Sequence, residues 1–95
     1  MDTLNKIALQ IIREQAIIIG PLAWSEARKV NGLKIINSAS GEVSVESEKP
    51  KEVVDSLVEQ YERLFGRASH EVCREAVASI IRDLAPADVP ASLAA

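Results

Sequence analysis

Histidine and cysteine are the first residues to consider for chemistry, and the chain has one of each. His70 and Cys73 are three residues apart on a predicted helix, so their side chains can meet on one face. Such a pair can generate a reactive thiolate. Cys73, however, falls in an apolar helical stripe with Val72, Ala76 and Val77, where cysteine packs as a small hydrophobe. The pattern therefore favours a structural Cys73 beside an exposed His70.

Metal and nucleotide chemistry have little support in the sequence. One His and one Cys supply too few soft ligands for a structural zinc site, and we expect no metal. Asp55 and Glu59 are one helical turn apart, but a solvated acidic face is the commoner meaning of that spacing. The sequence contains no glycine-rich phosphate loop and none of the common serine or zinc hydrolase motifs. We therefore predict a protein that is not an enzyme and needs no cofactor.

The composition describes one small domain with an aliphatic core. The chain has 95 residues, of which 47% are hydrophobic, so a packed core is expected rather than disorder. Trp24, Tyr61 and Phe65 are its only aromatic residues, so Ile, Val, Leu and Ala must build that core. A domain of this size buries only about 65% of the surface of its unfolded chain, and its stability can therefore depend on an oligomer.

Charge, hydropathy and cysteine usage restrict the partners and the compartment. The net charge of −3 argues against a nucleic-acid binder that relies on phosphate neutralisation. The most apolar run, residues 16–20, is far too short to span a membrane, and the N-terminus lacks the basic region of a signal peptide. A single cysteine cannot form an intrachain disulfide, which is typical of reducing compartments. We expect a soluble, cytoplasmic protein that binds neither nucleic acid nor membrane.

The strongest structural pattern is a pair of amphipathic helices over residues 50–84, each with one apolar stripe. The first stripe contains Val53, Val54, Leu57, Val58, Tyr61, Leu64 and Phe65, and the second contains Val72, Cys73, Ala76, Val77, Ile80, Ile81 and Leu84. Pro50 suits the start of the first helix and Gly66 its end, where a positive φ is expected. Ser69 is predicted to be the N-cap of the second helix, so the connection between the two is very short.

The C-terminal residues differ in composition from the rest of the chain. Residues 85–95 are rich in small residues and contain Pro86 and Pro90. We predict a single compact domain over residues 1–84, followed by a flexible Ala/Pro tail over residues 85–95.

Two further helices are predicted before the amphipathic pair. Asp2 or Thr3 caps the first, and Gly20-Pro21 ends it because proline removes a backbone donor. The second helix starts at Pro21 and runs through Val30. It stops at Asn31-Gly32, two residues that tolerate positive φ.

A β-hairpin is predicted between the two helical pairs. Residues 33–37 are rich in β-formers, residues 43–47 alternate apolar and polar side chains, and the polar stretch 38–42 connects them. The full order is α-α-β-β-α-α. This order indicates an α+β fold, in which a small antiparallel hairpin packs on four helices because a lone hairpin is marginal in water.

Two residues of the first helix disturb its apolar stripe, which consists of Leu4, Ile7, Ala8, Ile11, Ile12, Ile18 and Ile19. Gln15 falls inside the stripe, and Ile17 falls on the opposite, polar face. A polar residue in an apolar seam often fixes the register of paired helices, whereas a monomer would bond it to a backbone carbonyl at the Gly20-Pro21 break. We predict a homodimer with Ile11, Gln15, Ile17, Ile18 and Trp24 at its interface. Trp24 alternatively belongs to the core.

The function expected from these features is a non-catalytic protein-interaction or oligomerisation module of a signalling or regulatory system, which binds itself and another protein. The alternative is a small-ligand-binding regulatory domain, with a pocket between the hairpin and the helices near Trp24. A helix-turn-helix DNA binder is disfavoured, because the would-be recognition helix mixes Arg74 and Arg82 with acidic residues.

Overall fold

A computed structural model describes residues 3–94 of the chain. Within that part, four α-helices and a two-stranded antiparallel sheet follow in the predicted order, which confirms the α+β fold. The elements are α1 (Thr3–Ile19), α2 (Leu22–Ala27), β1 (Leu33–Asn37), β2 (Glu42–Val45), α3 (Pro50–Phe65) and α4 (Arg67–Ile81). Two short 3-10 turns, Pro86–Asp88 and Ala91–Leu93, follow α4. The predicted cap Asp2 lies outside the described residues.

The helix α1 is the central element, and it packs against α2, α3, α4 and β2. Its inner face carries Ile7, Ala8, Ile11 and Ile12, all fully buried and spaced as one helical face. These side chains share one core cluster with the inner faces of α3 and α4. Of the three aromatic residues, only Tyr61 is fully buried, so the core is aliphatic as the composition predicts.

The hairpin covers one side of α1. Leu33 pairs with Val45 and Ile35 with Val43, so the buried side chains of Leu33 and Val43 face the helices. The Asn5 Oδ1 of α1 accepts a hydrogen bond of 2.8 Å from the Val45 backbone N–H. This bond satisfies a donor of β2 and attaches to a helix a hairpin that would be marginal alone. The strand β2 spans residues 42–45 rather than the predicted 43–47.

The helix α2 is shorter than predicted, because it ends at Ala27 rather than at Val30. The next N–H groups bond three residues back, Lys29 to Glu26 and Val30 to Ala27, and this tightens the chain into a turn. Of the two predicted stop residues, only Gly32 has positive φ, at 84°. A Cβ at Gly32 would lie 2.7 Å from the Val53 Cγ2, so both the backbone and the packing require glycine there.

The connection between α3 and α4 is the single residue Gly66. Its φ of 89° confirms the predicted positive value, and its N–H bonds to the Glu62 carbonyl. The predicted N-cap at Ser69 is wrong: α4 begins at Arg67, and Ser69 is buried in its first turn. Gly66 reverses the chain by itself, so helical backbone resumes directly after it.

Residues 85–94, which the sequence predicts to be a flexible tail, lie against the helices. Pro90 is fully buried, and Leu93, only 4% exposed, belongs to the core cluster. The backbone N–H and the Oγ of Ser92 donate to the Asp55 Oδ1 at 3.0 and 2.6 Å. These contacts fasten the segment to α3, so the described part of it belongs to the domain. The final residue of the predicted tail lies outside the described residues.

Candidate interaction surface

His70 and Cys73 are engaged by other residues rather than by each other. Cys73 is fully buried, and its Sγ accepts a hydrogen bond of 3.4 Å from the Gln15 Nε2. Burial raises the pKa of the Cys73 thiol to about 11, so the unreactive protonated form dominates at neutral pH. The His70 Nδ1 lies 2.8 Å from the Glu62 Oε2, and its Nε2 lies 2.5 Å from the Ser92 carbonyl oxygen. The His70 side chain is 22% exposed, so the prediction that it stands exposed is wrong.

The described residues provide no cluster of metal ligands and no membrane-spanning helix. In residues 3–94, no three His, Cys, Asp or Glu side chains are placed to hold a metal ion. Asp55, one of the two carboxylates at one-turn spacing, instead accepts the hydrogen bonds of Ser92. No helix in the same part of the chain combines the length and the apolar character needed to cross a bilayer.

The five predicted interface residues separate into buried and exposed groups. Ile11 and Gln15 are 0% and 1% exposed, so both belong to the core of the chain itself. Ile17 and Ile18 are 76% and 61% exposed. Trp24 is partly buried against the core. A partner can therefore reach Ile17, Ile18 and part of Trp24 directly, but not Ile11 or Gln15.

The environment of Gln15 corrects the register argument. Its Nε2 donates to the Ser69 carbonyl oxygen at 3.1 Å, and the Cys73 Sγ is the second acceptor. The side chain is thus satisfied within one chain, and pairing with its twin across a two-fold axis does not fit this fold. The acceptor is a backbone carbonyl, as a monomer would require, but it lies on α4 rather than at the Gly20-Pro21 break.

Large apolar side chains are exposed around the C-terminal end of α1 and the α3–α4 corner. Ile17 and Ile18 are joined there by Leu22, Leu64 and Phe65, which are 44%, 48% and 36% exposed. We call these five residues the apolar end. A sixth exposed large apolar residue, Ile36 on β1, is 50% exposed and belongs to the hairpin instead.

Two hydrogen bonds bring the elements of the apolar end together. The bond from Gln15 to the Ser69 carbonyl holds the last turn of α1 against the first turn of α4. The Tyr61 hydroxyl donates to the Ala23 carbonyl oxygen at 2.6 Å and holds the last turns of α3 against the start of α2. Burial raises the pKa of Tyr61, so the hydroxyl stays protonated and keeps donating.

The position of each exposed side chain along its helix shows where it lies in the apolar end. Ile18 is three residues beyond Gln15, about 4.5 Å further along α1, where the neighbouring helices no longer cover the core-facing side. Leu64 and Phe65 lie one turn beyond Tyr61, at the end of α3. Ile17 points away from α4, at about 200° from Gln15 around the helix, and continues the apolar end around α1.

Sequence reasoning missed three residues of the apolar end. Leu64 and Phe65 were assigned to the core stripe of α3, but they are exposed because α3 continues past the core before Gly66 ends it. Leu22 was assigned to the second helix without a role. Their position in the sequence could have indicated their exposure, since each lies within two residues of a glycine or proline at a helix terminus.

The polar side of the α2–α3 contact is internally satisfied. The buried carboxylate of Glu26 accepts hydrogen bonds from the Lys29 Nζ at 3.0 Å and from the Gln60 Nε2 at 2.7 Å. These two bonds lower the pKa of Glu26 and keep it ionised. Arg63 in turn donates to the Gln60 Oε1. The network joins α2 to α3, and its charged groups bond to one another beside the adjoining groove.

The hairpin meets the helices away from Trp24. The groove between the hairpin and α1 is lined by Asn5, Leu9 and residues 40–43. Trp24 lies on α2 and is not among the residues that line this groove. The pocket that the small-ligand alternative placed near Trp24 is therefore not the groove at which the hairpin and the helices meet.

Comparisons of the chain with protein-family models, with curated proteins and with solved structures find no match.

Proposed function

We propose that this chain is a non-catalytic protein-interaction module that self-associates as a homodimer through the apolar end. The observation that carries the proposal is the exposure of five large apolar side chains on helix ends that the Gln15–Ser69 and Tyr61–Ala23 hydrogen bonds hold together. Scattered single apolar residues are normal on a protein surface, but a contiguous group marks a contact site.

The size of the apolar end suits a protein partner. Five large side chains, each between about one third and three quarters exposed, present roughly 500 Å² of apolar surface. A standard interface buries about 800 Å² on each partner, of which somewhat more than half is apolar. The apolar end can therefore supply the centre of a standard interface, with polar neighbours as its rim.

The charged residues around the apolar end favour a second copy of the chain. Glu14 precedes Ile17 on α1, while Arg63 and Arg67 flank Leu64 and Phe65. Cationic and anionic groups are thus both present on the rim. In a two-fold dimer each surface meets its own copy, so a mixed rim can pair opposite charges, whereas a rim of one sign would repel itself.

Dilution followed by NMR tests the proposal directly. Backbone amide spectra of the labelled protein are compared between about 1 mM and 10 μM, a range that spans weak and moderate dimers. We expect concentration-dependent shifts at Ile17, Ile18, Leu22, Leu64 and Phe65, and none at Ile36. Shifts centred on Ile36 would place the contact on the hairpin. If the spectra change at neither place and the particle has the size of a monomer, self-association is refuted.

A further inference from the structure

His70 joins three parts of the fold through its two ring nitrogens. The ring belongs to the first turns of α4. Its Nδ1 lies 2.8 Å from a carboxylate oxygen of Glu62 on α3, and its Nε2 lies 2.5 Å from the backbone carbonyl oxygen of Ser92. Both neighbours are oxygen atoms that accept hydrogen bonds, and neither can donate one when Glu62 is ionised.

This arrangement is complete only for one protonation state of the ring. A neutral imidazole carries a single N–H, so either tautomer directs a lone pair at one of the two oxygens. The imidazolium carries an N–H on both nitrogens and can donate to Glu62 and to Ser92 together. Loss of the ring proton therefore replaces one hydrogen bond with the contact of two acceptors.

The charged residues around His70 leave the protonated ring as the state that satisfies both oxygen atoms. Glu62 faces the ring from α3, and Asp55 on the same helix is occupied by Ser92. Gln15, the residue of α1 that contacts this turn of α4, is uncharged. The charged residues within one turn on α4 itself are Arg67, Glu71 and Arg74, of which Glu71 and Arg74 pair with each other. Residues 86–94 carry one charged side chain, that of Asp88, and the Lys51 Nζ of α3 donates to the Ala87 carbonyl oxygen.

The Ser92 carbonyl belongs to a segment that is otherwise held by a few contacts. Ser92 also donates twice to Asp55, Pro90 is buried, and Leu93 inserts into the core cluster. Leu93 borders an apolar groove on α4 that includes Ala78 and Ile81. If the segment leaves α3 and α4, the site of Leu93 opens into that groove and apolar surface becomes available.

We propose that residues 86–94 form a pH-sensitive strap that is fastened while His70 is protonated and loosens when its ring becomes neutral. The fastened strap favours the protonated ring. By linkage, the strap is held more firmly on the acid side than at a pH where the ring has lost its proton. The proposal does not depend on self-association, because the strap and the apolar end involve different residues.

Methyl NMR of Leu93 measures the strap without interference from amide exchange. In the fastened state the Leu93 methyl signals carry the shifts of a core residue, and in the released state those of a solvated leucine. Between pH 5.5 and pH 8.0, we expect the ratio of fastened to released strap to fall about fivefold in the unmodified protein. A change of this size corresponds to the free energy of a partly exposed ionic hydrogen bond. Model carboxyl groups titrate near pH 4, below this window.

Three variants make the test specific. His70→Gln cannot change its charge, so its Leu93 signals should not respond to pH between 5.5 and 8.0. Asp55→Asn should weaken the strap at both pH values but keep the response to pH, because His70 is intact. Glu42→Gln removes a carboxylate of β2, on the hairpin and away from the strap, and it should behave as the unmodified protein does.

Two results would overturn the strap. One is a pair of Leu93 methyl signals that are the same at pH 5.5 and 8.0 in the unmodified protein. The other is an equal response to pH in His70→Gln, which would assign the change to another group. If His70→Gln does not fold, Glu62→Gln gives the same decision, since removal of the charged acceptor should reduce the response.

Discussion

Gln15 is a polar residue whose role in the core depends on a partner far away in the chain. Its position in an apolar stripe raised the prospect of a polar contact between two copies. The Ser69 carbonyl that accepts its hydrogen bond lies 54 residues later, so periodicity within one helix could not reveal it. A buried amide with a partner in its own chain contributes to the fold and not to the choice of oligomer.

Substitutions of Gln15 should separate its volume from its hydrogen bond. Gln15→Ala removes both and should lower the free energy of unfolding by about 2–4 kcal/mol. Gln15→Leu keeps the volume and should cost less than about 1.5 kcal/mol, without changing the oligomeric state. Urea denaturation measures both variants. A leucine variant as damaged as the alanine variant would show that the hydrogen bond, and not the packing, makes the larger contribution.

Cys73 should react slowly in the folded protein. The thiol is fully buried and its pKa is raised to about 11. An aromatic disulfide reagent at pH 8 should therefore label it at least about 100-fold more slowly in buffer than in denaturant. Cys73→Ala should retain self-association and cost about 1 kcal/mol as a small cavity. Rapid labelling of the folded chain would contradict its place in the core.

The same pKa predicts how stability depends on alkaline pH. A thiol that ionises with a pKa near 8.5 in the unfolded chain and near 11 in the folded chain binds its proton more tightly when folded. This contribution to stability is fully present below about pH 8.5 and is lost as the pH rises toward 11. The unfolding free energy of the unmodified protein should therefore fall more steeply over that window than that of Cys73→Ala.

At the scale of elements, glycines and prolines made most boundaries predictable. Pro50 and Gly66 limit α3 as expected, and Gly20-Pro21 separates α1 from α2. These residues act through their own backbone, so their effect is local and visible in sequence. The failures have a different cause. The docking of residues 85–94 and the exposure of Leu64 depend on what another part of the chain does.

The corner between α3 and α4 offers a local test of this distinction. Gly66 combines a φ of 89° with a ψ of 179°, a region that is almost restricted to glycine, but a Cβ there would touch nothing within 4 Å. Backbone strain alone should therefore destabilise Gly66→Val by about 1–3 kcal/mol. Ala68→Val places the same side chain within α4 and should cost about 0.5 kcal/mol. Equal denaturation midpoints for the two variants would contradict the strained corner.

At the scale of the whole molecule, the apolar end is a surface that no element within residues 3–94 covers. The core-facing side of α1 is covered by α3 and α4 up to Gln15, and the strap covers part of the α3–α4 groove. Ile18 and Phe65 lie where this cover ends. The sequence indicated Ile17 and Ile18 of α1 as interface residues, but only the fold shows that the end of α3 adds to them.

Matched substitutions of two isoleucines should locate the dimer contact. Ile17 and Ile36 are both well exposed, at 76% and 50%, so a lysine at either position should leave the fold intact. Ile17→Lys brings like charges together in the homodimer and should raise the dissociation constant at least about tenfold. Ile36→Lys makes the same chemical change on the hairpin and should leave it unaltered. The reverse order of effects would move the interface to β1.

Sedimentation equilibrium of the unmodified protein at micromolar concentration tests self-association through the apolar end most directly. We predict a mass approaching twice that of one chain at tens of micromolar, and this mass should fall toward that of one chain on dilution. At the same concentration, Ile17→Lys should also have a mass closer to that of one chain. A monomeric mass for the unmodified protein throughout this range would contradict the homodimer, whatever the variants show.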